Sequence, residues 1–293
     1  MKGIREIKNR IRAVDSVSKI TLAMQLVAAS KMKRAQDFAI ESRPYLLRLS
    51  EIICCLSEKK LKKNMHPFFI SREKQRRCLI VVGTDKGLCG VLNHTLFKLI
   101  PEEEETSFIS VGRKAMQFLS RRKRSLLASF SIHDRVQYHE VLGICDLVAK
   151  LYLEDQVDVV EVLYQKFGNT LTYLPSLQRI LPMDGFYDVF DQMLKSANLE
   201  REHFQRDPRG LLWEPHVRQI IDHIAKIFLK YNLHQVLLEA KASEHSARMV
   251  AMKNATDNAK SLSQSLKLEY NKARQYAITN EIIELAIAAT ENH

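Results

Sequence analysis

A chain of 293 residues that is 46% hydrophobic is long enough for one large or two ordinary domains and apolar enough to bury a core. Its formal charge of +11 implies, or at least tolerates, a partner of opposite sign, and residues 1–50 alone carry eleven Lys or Arg against four Asp or Glu. No stretch approaches the roughly 18 apolar residues of a membrane span, and MKGIREIKNRI alternates charge with isoleucine, which fits neither a signal peptide nor a spanning helix.

The first ~55 residues read as one helix. Ile4, Ile7, Ile11 and Val14 step by 3, 4, 3, and after a one-residue slip Val17, Ile20, Met24 and Val27 repeat those steps. Ala28, Met32, Ala35 and Ala39 continue the seam, and Leu46, Leu49, Ile53 and Leu56 resume it beyond Pro44, where the lost hydrogen bond predicts a kink.

Residues 58–77 carry many Lys and Arg around His66-Pro67 without periodicity, so a basic linker is expected there. The period then changes. Cys78 to Val82 is a short apolar run followed by Gly83-Thr84-Asp85 and a helical segment to Ile100, the opening of an α/β unit. Phe108 to Val111 repeats that pattern, a helix is expected over 140–152, and Val157 to Phe167 with Thr170 to Leu174 read as a strand pair around Gly168-Asn169.

Asp207-Pro208 and Pro215 bracket a turn, and Pro suits the first position of a helix. No Gly or Pro follows Pro215, so one helix to about Thr290 is expected, on the order of 110 Å long at 1.5 Å per residue. Its seam runs Ile220, Ile224, Ile227, Tyr231, then through an alanine column Ala247, Ala251, Ala255, Ala259 to Leu262, Leu266, Tyr270, Ala273, and on to Ile278, Ile282, Leu285 and Ala289. A single amphipathic helix leaves its apolar face wet, so the two terminal helices are expected to pair as an antiparallel coiled coil. The fold class is therefore mixed, a long coiled coil of the N- and C-terminal helices plus a central Rossmann-like α/β domain. The expected divisions are 1–57, the linker 58–77, the α/β domain 78–207 and the second helix 208–293.

Residues that carry chemistry are sparse. Cys54, Cys55, Cys78, Cys89 and Cys145 form no CxxC pair and have no His at zinc-site spacing, so reduced thiols and no metal are expected. GTDKGLCG follows a strand and precedes a helix, where a phosphate cradle sits. Its spacing matches neither GxxxxGK[ST] nor GxGxxG, and a tight strand-to-helix turn is the better reading. His133, His139, His203, His216, His223, His234 and His245 are scattered, with no second His at i+4. Arg121 to Arg124 reads as a solvated helix end. No catalytic group and no cofactor site is expected.

As letters, the two helices are specific. Glu6-Ile7-Lys8-Asn9-Arg10-Ile11, Lys19-Ile20-Thr21, Ala23-Met24 and Val27 through Gln36 resemble the N-terminal helix of the γ subunits of F-type ATP synthases. Ala247 through Ala259, Tyr270 through Gln275, Ala277-Ile278-Thr279 and Glu281-Ile282 resemble that family's C-terminal helix, and Thr84 through Gly90 resembles its central motif. Leu22, Lys260, Val91 and the ending Glu291-Asn292-His293 depart from the usual pattern.

The resemblance implies a bacterial-type, non-catalytic central stalk, peripheral at the cytoplasmic face of the plasma membrane. Its partners would be the α and β subunits, the ε subunit and the c-ring, with no direct binding of nucleotide and none of nucleic acid. It also implies contacts to β subunits at Met24, Arg248, Gln275 and Thr279. The alternative from the charge alone is a basic helical module that binds nucleic acid or a membrane surface.

Overall fold

The computed structural model describes residues 3–57, 66–72, 76–102, 105–183, 194, 214 and 216–291, apart from the side chains of 43, 54–57, 217 and 285–291. Most of the basic linker 58–77 lies outside the described residues, as do Asp207, Pro208 and Pro215 and the side chains of Cys54, Cys55, Leu285 and Ala289. The elements are α1 (Ile4–Ser57), β1 (Arg77–Val82), α2 (Leu92–Phe97), β2 (Ser107–Val111), α3 (Arg113–Arg121), β3 (Leu126–Phe130), α4 (Tyr138–Leu153), β4 (Val159–Phe167), β5 (Tyr173–Leu181) and α5 (Val217–Glu291). The chain forms two compact units, Met1–Ala29 with Arg248–His293, and Ser30–Ala247.

The first unit is an antiparallel helix pair. Thr21 meets Thr256, and Asp15 accepts a hydrogen bond from Ser263 at 2.6 Å, so the partner number on α5 rises as that on α1 falls. On α1 the inward line is Ile4, Ile7, Ile11, Val14, Ser18, Thr21, Gln25 and Ala28, an unbroken 3-4 alternation. The predicted slip is therefore corrected. Val17, Ile20, Met24 and Val27 lie off the seam, because the seam accepts polar side chains that find partners: Thr21 Oγ1 also reaches Ser18 O at 3.1 Å.

The alanine column is corrected in the same way. Among the described residues, the buried ones of α5 in this unit are Met252, Thr256, Ala259, Ser263 and Leu266, stepping 4, 3, 4, 3, while Ala251 and Ala255 are half-buried. A strict four-residue repeat advances about 40° beyond a full turn at each step, so it walks off a contact line that a 3.5-residue alternation follows.

The second unit is built on a five-stranded sheet in the order β3-β2-β1-β4-β5. β3, β2, β1 and β4 run parallel, and β5 returns antiparallel to β4. Strand alternation sorts the core into two layers. Cys78, Ile80 and Val82 face a large cluster with Leu46 and Leu49 of α1, Ile144 and Val148 of α4, and Phe228, Leu233 and Val236 of α5. Leu79 and Val81 face the other way, against Leu96 of α2 and Ala115 and Leu119 of α3.

Several elements differ from expectation. β3 was not anticipated; it is an edge strand with half-buried and exposed residues alternating, so it lacks the apolar run of a central strand. The second hairpin strand is Tyr173–Leu181 rather than 170–174, and it carries Pro175, which an edge strand tolerates because one row of its backbone groups needs no partner. α2 ends at Phe97, short of Ile100. α4 spans Tyr138–Leu153, and at its start Gln137 N donates to Glu140 Oε2 at 2.9 Å.

Candidate partner-binding face and central loop

In the helix pair, the residues turned away from the seam are unusually apolar. Val17, Ile20, Met24 and Val27 are 50%, 58%, 39% and 55% exposed, and they form one stripe along α1 because their 3-4-3 spacing keeps them on a single face. Along α5, Leu262, Leu268, Tyr276, Ile278 and Ile282 are exposed as well. Scattered apolar residues on a surface are ordinary; a continuous stripe over three helical turns marks a surface that another protein covers. Lys8, Arg12 and Lys19 are exposed together on another face of α1, about 120° round the helix from the stripe.

The four residues carried over from the resemblance do not converge on a pocket. Met24 lies in the exposed stripe. Arg248 is half-buried where α5 enters this unit, and Gln275 and Thr279 are exposed one turn apart, with Thr279 Oγ1 donating to Gln275 O at 2.9 Å. At 1.5 Å rise, Arg248 and Gln275 are separated by about 40 Å of helix. They are stations along a face. Val17, Ile20 and Val27 belong to that face too, although their spacing had placed them in the seam.

In the sheet unit, the GTDKGLCG loop leaves the carboxyl end of β1, beside the point where the strand order reverses between β1 and β4. Its first glycine, Gly83, serves close packing against Gly112 and Ala115. A Cβ on Gly112, which has φ of +90°, would stand 2.4 Å from Gly83 O, and one on Gly83 would stand 3.0 Å from Ala115. Thr84 and Asn93 exchange hydrogen bonds, Thr84 N donating to Asn93 Oδ1 at 3.2 Å and Asn93 Nδ2 to Thr84 Oγ1 at 2.8 Å. Asp85 accepts from Arg113 N at 3.1 Å, so the N-terminus of α3 holds the chain's own carboxylate. The same carboxylate lies 3.6 Å from Lys241 Nζ of α5. The loop is thus a tight, internally bonded turn that ties sheet to helix.

Further charges line this edge. Asp134 takes Lys31 Nζ at 2.5 Å and lies 3.8 Å from His245 Nε2. Burial pulls the Asp134 carboxyl upward, but the Lys31 hydrogen bond and the charges of His245, Lys31 and Lys241 together outweigh it and leave its pKa below the usual value. His234 is shifted down by burial, which its hydrogen bond at 3.0 Å to Val136 O only partly offsets. Burial pushes the Cys78 and Cys145 thiols up to about 12, which keeps them protonated and unreactive. Among the described residues, no group of three or more His, Cys, Asp or Glu is arranged to hold a metal ion, and no helix is long and apolar enough to cross a membrane.

Residues 3–290 match the family model described as ATP synthase. The ATP synthase gamma chain of Opitutus terrae is 39% identical over 289 residues, covering 98% of each chain, and that of Methylacidiphilum infernorum is 38% identical over 295 residues, again covering 98% of each. In fold, the chain is similar to a chain of the mitochondrial ATP synthase OSCP/F1/c-ring structure of Euglena gracilis, with a TM-score of 0.67 at 16% identity over 99% of this chain and 94% of that one. It is also similar to a chain of the central stalk/c-ring structure from Tetrahymena thermophila, with a TM-score of 0.60 at 24% identity over 80% of this chain and 99% of that one. Match, identity and coverage agree across nearly the whole length, and the chain belongs to the family of ATP synthase gamma chains.

Proposed function

We propose that this chain is the rotary central-stalk subunit of an F1Fo ATP synthase, coupling ion flow through the c-ring to conformational cycling of the catalytic β subunits. The observation that carries the reading is the exposed stripe Val17, Ile20, Met24 and Val27 on a basic helix pair, a surface built to be covered by other subunits. The stalk acts mechanically: each of its orientations stabilises a different β conformation through contacts that differ between orientations. In this reading the chain has no catalytic role of its own. It works among α, β and ε subunits and the c-ring, peripheral to the membrane on the cytoplasmic face of a bacterial cell. Residues 1–57 and 208–293 serve as the stalk helices, 58–77 as a linker and 78–207 as the domain toward the c-ring.

Met24, Arg248, Gln275 and Thr279 are proposed as contacts to β subunits. The test is Met24→Lys in the complex reconstituted into vesicles. The family resemblance implies an acidic β-subunit loop facing this stripe; an added ammonium forms an ion pair with it that must break at each turn, and a partly desolvated pair is harder to break than the ~0–1 kcal/mol of an exposed one. ATP hydrolysis then continues while ions pumped per ATP fall. An unchanged ratio rules out Met24 as a coupling contact.

A further inference from the structure

From Ala240 to Ala247, every residue of α5 is buried. Eight consecutive residues exceed two helical turns, so the helix is enclosed on all sides there. The sequence of the enclosed stretch is AKASEHSA, which is not what an enclosed helix calls for, since such a helix is normally apolar all round. Its polar side chains reach outward to separate parts of the sheet's edge, two through hydrogen bonds and two towards carboxylates at 3.6 and 3.8 Å. Lys241 pairs with Asp85 in the β1–α2 loop and with Glu244 at 3.1 Å on its own helix. Ser243 Oγ donates to Gln165 O of β4 at 2.8 Å, and Ser246 Oγ donates to Thr170 O of the β4–β5 hairpin at 2.6 Å. His245 faces Asp134 in the β3–α4 loop, which also holds Lys31 of α1. At 100° per residue, the attachments of Lys241, His245, Ser246 and Ser243 spread over about 200° of the helix circumference.

Buried charges are a poor means of gaining stability, because desolvation offsets most of their attraction. Their directionality is a different matter. Apolar packing resists separation but has little orientational preference, whereas a hydrogen bond weakens steeply once its angle is lost. Interlocking apolar packing already resists turning of a helix, and polar attachments on several sides of it add directional stiffness to that hold. We propose that Asp85, Asp134, Gln165 and Thr170 form a collar that keys α5 against rotation about its own axis. Lys241, Ser243, His245 and Ser246 are then the positioning residues through which torque passes between the sheet domain and the helix. The proposal rests on the rotary reading and adds the joint to it.

The test uses the assembled complex with its β subunits fixed to a surface and a bead attached through Leu174→Cys on the sheet domain. With ATP turnover stopped, the angular variance of the bead reports the torsional stiffness between the domain and the held helices. Asp85→Asn with Lys241→Met removes the ion pair while keeping an acceptor for Arg113 N. Stiffness set by a few directional contacts falls when one is lost, so the variance is expected to rise by about twofold, with some loss of thermal stability because Glu244 also loses its Lys241 partner. Ser243→Ala with Ser246→Ala keeps every charge and decides the matter if the first variant does not assemble; it is expected to raise the variance in the same direction. Unchanged variance in an assembled variant overturns the collar. Failure of the unmutated complex to turn its bead on adding ATP would instead overturn the rotary reading, so the two failures are distinguishable.

Discussion

The hydroxyls of Thr21 and Thr256 lie 2.7 Å apart in the buried seam of the helix pair. Each also has a carbonyl of its own helix in reach, Ser18 O for Thr21 and Met252 O at 2.8 Å for Thr256. The two hydroxyl protons serve three contacts, so one hydroxyl donates across the seam while the other donates to its own helix carbonyl. Replacing both by Val removes two satisfied hydroxyls and adds apolar contact, a change that is nearly neutral or stabilising when both partners go together. Thr21→Val with Thr256→Val is expected to shift chemical unfolding by less than about 1 kcal/mol, with the outward stripe still exposed to a water-soluble probe. A loss of several kcal/mol would mean that the hydroxyls have partners beyond these.

Ala259 is buried on the seam, and Ala255 is half-buried beside it. A larger side chain on a close-packed line forces the backbones apart, at a typical cost of 1–3 kcal/mol. Ala259→Leu is expected to destabilise by about that amount, and Ala255→Leu by clearly less, since it has free space on its outer side. Thermal unfolding of the two variants checks the order. Equal losses would restore the four-residue column as the contact line.

Much of this fold was legible in the sequence because long elements leave long signals. The 54 residues of α1 and 75 of α5 offered many repeats of the helical period, and the apolar runs of β1 and β2 announced central strands. The seam's phase is not legible around Val17 because apolarity there does not mark burial within the chain. On α1 the apolar residues at 17, 20, 24 and 27 are displayed, and Ser18, Thr21 and Gln25 face inward. A chain whose surface is completed by partners carries two apolar faces, and periodicity alone does not say which is covered within the chain. β3 and the far half of β5 were hidden for a related reason: edge strands are only partly covered, so they tolerate polar residues and Pro175. The collar left one signal that was passed over, the polar run Lys241 to Ser246 inside an otherwise amphipathic helix.

Asp158 anchors the amino end of the sheet. Arg76 donates to it through Nε at 2.8 Å, Nη2 at 3.0 Å and its backbone N at 3.1 Å, and Arg72 lies 3.6 Å away. The Arg76 hydrogen bond outweighs the cost of burial and lowers the carboxyl from 3.8 to about 2. A pKa depressed in the folded state gives stability that is present above the unfolded value and lost as pH falls through the folded one. The stability gap between the unmutated chain and Asp158→Asn is therefore expected to be constant near neutrality and to shrink as pH drops from 3.8 toward about 2. Unfolding titrations at several pH values check this; a gap that persists unchanged to the lowest pH would show that Asp158 is not held as the carboxylate by Arg76.

The central claim is that the helix pair turns inside a ring of catalytic subunits. The measurement that meets it most directly is single-molecule observation of α and β subunits assembled with this chain, the β subunits fixed to a surface and a marker on the sheet domain. The account predicts rotation in one direction on addition of ATP, stopping when ATP is withdrawn. ATP hydrolysis at an undiminished rate with the marker stationary, or turning without preferred direction, would contradict it.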